Sequence, residues 1–249
     1  MLYRVRGPIR FLTNPGNSFC ESMKHCWLLI VLLGGHGATM AARPFVTDDA
    51  RLTNEGQCQL ESWTRRYHNS TESWALPACN PYGNFEFSLG TGVAHDAQGV
   101  RTQDYILQGK TLMRKLSTDD WGWGIAIGQI QHPAVNPGPN LMGNTYAYIP
   151  ISRSFKQDAI IMHMNVGVLK DKATGNHKTT WGVGAELKLG SRLLGIAEAF
   201  GDSSASPYFQ TGFRYAIRPD LFQVDMTVGK QQHGNSDSRW VSFGIRYTP

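Results

Sequence analysis

Residues 208–229 read YFQTGFRYAIRPDLFQVDMTVG. Up to Ile217 every second residue is apolar or Thr (Phe209, Thr211, Phe213, Tyr215, Ile217), and the residues between include Gln210, Gly212 and Arg214. After Arg218, Pro219 and Asp220 the beat resumes with Phe222, Val224, Met226 and Val228 against Gln223, Asp225, Thr227 and Gly229. A period of two belongs to a β-strand with one apolar and one polar face. Two such runs joined by three residues predict a hairpin. Which of its faces looks outward, and at what, decides the fold.

The same rhythm recurs along the chain. It predicts strands at 57–68, 72–79, 84–94, 103–115, 121–132, 143–155, 159–170, 178–188, 192–200, 206–217, 221–230 and 238–247, twelve in all. The connections alternate in character. NPYG (80–83), STDD (117–120), Lys156–Asp158, GSR and RPD have hairpin length, whereas HDAQGVRT, PAVNPGPNLM, DKATGNH, GDSSASP and QQHGNSDS are longer and rich in Gly, Asn, Asp, Ser and Pro. Short turns at one end and longer loops at the other is the layout of an outer-membrane barrel. An even strand count places both chain ends with the short turns.

A soluble sandwich shares the period of two, so three further features select between the folds. The predicted strands are long enough for a tilted span, and longer than the usual five or six residues of globular sheets. Trp121, Trp123, Trp181, Tyr215, Phe243 and Tyr247 put aromatic rings near the ends of the apolar face, where interfacial girdles lie. The opposite face is small or polar, as in Gly122, Gly124 and Gly128, or Gly182, Gly184, Glu186 and Lys188, or Ser242, Gly244 and Arg246. The expected fold is therefore all-β, an up-and-down transmembrane barrel of about twelve strands. Its lumen should collect Glu86, Lys110, Arg114, His163, Asn165, Glu186, Lys188, Glu198, Arg214, Asp225 and Arg246. Both signs occur, so these groups can pair across the interior. That predicts a narrow, partly plugged channel; a purely structural polar core is the alternative.

The N-terminal region reads as a leader. WLLIVLL (Trp27–Leu33) follows Met23, Lys24 and His25 and is followed by GGHGATMAA, the cationic start, short apolar core and small-residue end of a secretory signal peptide. This assigns 1–22 to an upstream extension, 23–41 to the signal peptide with cleavage after Ala41, 42–56 to an N-terminal segment and 57–249 to the barrel. Loss of the leader takes 24 basic and 19 acidic residues to 20 and 18, near neutrality, so the basic balance of the whole chain indicates no nucleic-acid partner. Cys20 and Cys26 leave with it, and Cys58 and Cys79 remain. If 57–80 is a hairpin with its tip at His68 and Asn69, one register sets Cys58 opposite Cys79 and Trp63 opposite Trp74. A disulfide is expected in an exported chain; two buried free thiols are the other option.

ARPFVTDDARLTNEGQCQLE (42–61) resembles the start of the meta-pathway phenol-degradation family of bacterial outer-membrane proteins. Arg43, Pro44, Phe45, Thr47, Asp48, Asp49 and Ala50 match its opening segment, and Gln59, Leu60 and Glu61 match the end of its first strand. The resemblance implies a transporter-like outer-membrane barrel whose substrate is generally unassigned despite the family name; the expected role is a channel or transporter for small solutes, with aromatic or hydrophobic compounds among the candidates. The C-terminal VSFGIRYTP resembles an outer-membrane targeting signal through Val241, Phe243, Ile245 and Tyr247, and departs from it in the Thr248 and Pro249 that follow. Outer-membrane lipid and the assembly machinery are the expected partners, beside a small-molecule solute.

Asp48 and Asp49 precede the first strand at the short-turn end, so they are expected to fold into the lumen as a plug and pair with Arg214 or Arg246. Alternatively Thr47 simply caps a turn. No HExxH, CxxC, G-x-S-x-G or P-loop is present, and no catalytic residue, cofactor or metal site is assigned. A lipid-modifying barrel enzyme would need a Ser/His pair within hydrogen-bond reach at the rim; a secreted sandwich or lipocalin-like binder is the third class. His68, His95, His132, His177 and His233 all fall at the long-loop end, where converging imidazoles could bind a transition metal.

Overall fold

The computed structural model describes residues 45–131, 145–171 and 174–249; the leader at 23–41, the extension before it and His132 lie outside them. Twelve strands follow in order: β1 (Gln57–Tyr67), β2 (Ser70–Asn80), β3 (Phe85–Asp96), β4 (Arg101–Arg114), β5 (Trp121–Gln131), β6 (Thr145–Phe155), β7 (Ile160–Lys170), β8 (His177–Lys188), β9 (Leu193–Asp202), β10 (Tyr208–Arg218), β11 (Phe222–Gln231) and β12 (Arg239–Tyr247). Each pairs antiparallel with the next, and β12 returns to β1 from Leu60 opposite Tyr247 to Tyr67 opposite Trp240. Closure leaves no open sheet edge.

The opening hairpin supplies the direction of the faces. Thr211 opposes Val228 and Phe213 opposes Met226, so the apolar residues of both strands share one side. That side is the outer one: Phe213 is 57% exposed and Phe243 58%, whereas Arg214 and Glu186 are 3% exposed. Phe209, Tyr215, Ile217, Met226 and Val228 are exposed as well. A two-layer sandwich is excluded, because its apolar stripes would be buried against each other. A continuous exposed apolar wall is stable only against hydrocarbon.

Local chemistry sets the ends. Asp220 closes the β10–β11 turn with φ 63°, and Asp119 sits at φ 56° between β4 and β5; Asp tolerates this left-handed conformation by bonding locally. In the β1–β2 hairpin Cys58 opposes Cys79 and Trp63 opposes Trp74. The cysteines form a disulfide with a Cα separation of 4.0 Å, and the indoles stack at 5.8 Å and 18°. Trp63 follows Cys58 by five positions, an odd step, so the disulfide lies on the outer face and the tryptophans on the inner one.

Candidate functional site: the lumen and the segment inside it

Aromatic side chains fill the loop-side half of the interior. Tyr67, Phe200, Tyr208 and Trp240 pack together with Val46, and Trp74, Ile106, Ala126, Ile130, Tyr146 and Tyr148 form a second cluster with Trp63 against it. Facing glycines make this packing fit. A Cβ on Gly92, Gly128 or Gly229 would run into Trp74, Tyr146 or Trp240 respectively. A lumen glycine can also leave room for charge, as Gly244 does beside Asp225. Gly182 and Gly184 make room for Thr47 and Phe45 of the N-terminal segment.

Residues 45–53 lie inside the turn-side half and middle of the barrel. Phe45 packs edge-on to His163 at 5.4 Å, on a wall where a Cβ at Gly184 would come within 2.6 Å of its ring. The N–H groups of Val46 and Thr47 donate to the Glu198 carboxylate, at 2.9 Å for Val46. Lys110 Nζ donates to Asp48 Oδ1 at 2.8 Å and to the Asp49 carbonyl at 3.1 Å, and lies 3.6 Å from Asp49 Oδ1. The Tyr148 hydroxyl donates to Asp48 Oδ2 at 2.6 Å. Ala50 N–H donates to Ser152 Oγ at 2.9 Å, and Arg51 lies 3.6 Å from Glu186. Thr53 donates to Glu86 Oε2 through its N–H at 2.7 Å and its hydroxyl at 2.6 Å, while Asn80 Nδ2 donates to its carbonyl at 2.6 Å. Side chains from β2, β3, β4, β6, β8 and β9 therefore hold nine consecutive residues, each through a charge-assisted bond or a buried contact.

The structure brings together most of the residues expected in the lumen. Glu86, Lys110, His163, Glu186, Glu198, Arg214, Asp225 and Arg246 are all buried on the inner face. Arg214 donates to Glu186 at 3.0 Å. Two residues fall elsewhere. Arg114 is opposite Trp123 after a register shift between Leu112 and Arg114, and this bulge turns its side chain to the outer face. There it bonds Asp120 at 2.6 Å and lies over the Trp121 ring at 4.6 Å; the hydrogen bond from Arg114, followed by one from the Trp121 backbone, holds Asp120 below the usual carboxylate range. Lys188 keeps inward parity, yet as the last residue of β8 it is exposed at the barrel end. Asp48 and Asp49 are in the lumen, where Lys110 holds both and Tyr148 bonds Asp48, whereas the expected partners were Arg214 and Arg246. Those two arginines are met by groups of the wall: Glu186 binds Arg214, and Glu61 stands opposite Arg246.

Several inward residues escaped sequence reasoning. Trp240 shares parity with Ser242 and Gly244, and Phe200 with Glu198, so the alternation itself carried the signal. Arg65 and Glu72 form a further inward pair at 3.3 Å, with Arg65 5.3 Å from the Trp240 ring centre.

A Ser/His pair does exist, away from the rim. Ser152 Oγ lies 2.8 Å from His163 Nδ1, and His163 Nε2 lies 3.9 Å from Glu186. The serine oxygen already accepts the Ala50 N–H, and Glu186 is engaged by Arg214 and Arg51. Phe45 packs against the imidazole, so the pair lies under the N-terminal segment and not at the lipid interface. Among the described residues no group of three or more His, Cys, Asp or Glu side chains is placed to hold a metal.

The chain belongs to the family described as "Uncharacterised conserved protein UCP029691", which matches residues 29–248. The match does not extend to the phenol-degradation family that residues 42–61 resemble. Among solved structures the chain is similar to a KdgM porin (TM-score 0.54, 10% identity, 76% of this chain and 98% of that one). It is also similar to a KdgM porin in complex with disordered oligogalacturonate (0.57, 9%, 76% and 98%) and to a NanC porin (0.51, 10%, 76% and 97%). At these identities the likeness is one of fold: a porin-type barrel. No curated protein sequence matches the chain.

Proposed function

We propose that this protein is an outer-membrane channel or transporter for small solutes, with its path through the barrel closed in the middle by residues 45–53. One observation carries this: apolar side chains cover the outside, while the inside gathers charge around a segment that is held by side chains alone and is not a strand of the wall. A group of side-chain bonds can be exchanged for bonds to water or solute without opening the sheet. The wall is the permanent part and the segment the displaceable one.

The interior also speaks to the solute. Nine carboxylates (Asp48, Asp49, Glu61, Glu72, Glu86, Asp104, Glu186, Glu198, Asp225) face five fixed cations (Arg51, Arg65, Lys110, Arg214, Arg246) among the described residues. An acid-rich lumen favours cations and neutral molecules over polyanions, so an acidic oligosaccharide such as the one bound to the KdgM porin is disfavoured here. The ring-lined loop-side half suits uncharged aromatic or hydrophobic compounds. Conductance across planar bilayers tests the proposal. Asp48→Asn with Asp49→Asn removes the charge that Lys110 holds, and the current is expected to rise. An unchanged current from a folded barrel would count against a plug.

A further inference from the structure

Permeation makes no use of the outer wall, and one part of that wall is not filled. On its outward face β9 presents only Gly195, Ala197, Ala199 and Gly201 over the span where its neighbours carry Val183, Leu187, Phe209 and Phe213. The result is an apolar groove of about 840 Å³ crossing β8 to β12. One ladder row runs along it: Met162, Ala185, Ala197, Thr211, Val228, Val241. Here a chain can lie against the backbone of β9.

The loop-side end of the groove is basic. Lys230 and Arg239 are directly opposed on β11 and β12, both exposed, and both line the groove. Arg66 on β1 stands opposite Val241, so it projects from the same outward face one row away. Like charges placed directly opposite one another destabilise a strand pair. None of the three has an ion-pair partner among the described residues. The juxtaposition of an acyl-sized groove with three uncompensated cations at its mouth calls for an anion attached to a hydrocarbon chain. A second copy of the barrel fits poorly: side by side in one membrane, both copies would bring their basic clusters to the same height.

We propose that this groove binds one acyl chain of a phosphorylated lipid, with the phosphate held among Lys230, Arg239 and Arg66. The site rests on the outer wall being in a membrane and is independent of whether the lumen conducts. Attraction of phosphate to clustered Lys and Arg at a membrane surface supplies the head-group preference, and van der Waals contact with Ala197 and Ala199 supplies the fit to the chain.

Native mass spectrometry of the barrel released from non-ionic micelles tests this with defined probes: dimyristoyl phosphatidic acid, dimyristoylglycerol and inorganic phosphate. One phosphatidic acid per barrel is expected, held at least tenfold more tightly than dimyristoylglycerol, with no displacement by equimolar inorganic phosphate. The Arg66→Gln, Lys230→Gln, Arg239→Gln triple variant should bring the two lipids level, and Ala197→Phe should weaken both at least tenfold. The milder Ala199→Leu gives a second groove-filling variant should Ala197→Phe fail to fold. Equal retention of the two lipids by the unaltered protein, or a preference that survives the triple variant, overturns the site. So does a dimeric mass that Ala197→Phe abolishes, which would assign the groove to a second copy. Conductance recorded on the same preparations should be unchanged by these substitutions. Absence of the lipid preference in the unaltered protein with conductance intact therefore refutes this site alone, and a preference present in a barrel that does not conduct refutes only the channel.

Discussion

Gly184→Val gives the most direct test of the segment in the lumen. A Cβ at Gly184 would stand 2.6 Å from the Phe45 ring, so any larger side chain competes for the space that Phe45 occupies. The strand itself tolerates the change, since Val suits a strand better than Gly does. Phe45 is 8% exposed, and expelling such a ring forfeits about 2 kcal/mol of burial. If Val46 and Thr47 leave with it, two N–H bonds to the Glu198 carboxylate go too, at about 1.5 kcal/mol each. The equilibrium between seated and released segment then shifts roughly 30-fold for the ring alone and several thousand-fold for all three. Two assays read it: single-channel current across a planar bilayer, and trypsin cleavage after Arg51, which the seated segment protects. The variant is expected to conduct more and to be cut, whereas Gly201→Ala, on the outer face with its nearest atom 3.4 Å away, should change neither. A folded Gly184→Val barrel with unaltered current and full resistance to trypsin would refute the plug.

Lys110→Met leaves Asp48 and Asp49 without their buried cation and should lower stability by about 3–5 kcal/mol, seen as a lower urea midpoint in micelles. Arg114→Gln should leave conductance unchanged because the residue faces outward, while Arg214→Gln, which frees Glu186 inside, should alter it; equal effects would contradict the bulge. Replacing Cys58 and Cys79 by Ser should reduce stability by about 3 kcal/mol for a separation of 21 residues, with conductance intact because the bond lies on the outer face. In a potassium chloride gradient the reversal potential of the released barrel should show preference for the cation; preference for chloride would contradict the acid-rich lumen.

Much of this was legible in the sequence. Alternation in 208–229 already separates Phe213 from Arg214, and in a strand that separation is all that is needed to place one outside and the other inside. Strand number, the turn-side and loop-side ends, and the Cys58–Cys79 register follow from the same local rules, because a hairpin register depends only on where its tip lies. The tertiary structure alone decided the rest. Whether Asp48 meets Lys110 or Arg214 depends on the register around the whole closed barrel, since the partners are dozens of residues or more apart along the chain. A single extra residue between Leu112 and Arg114 reverses a face that parity had assigned. Pairing inside the lumen is a property of closure, and closure is carried by no one strand.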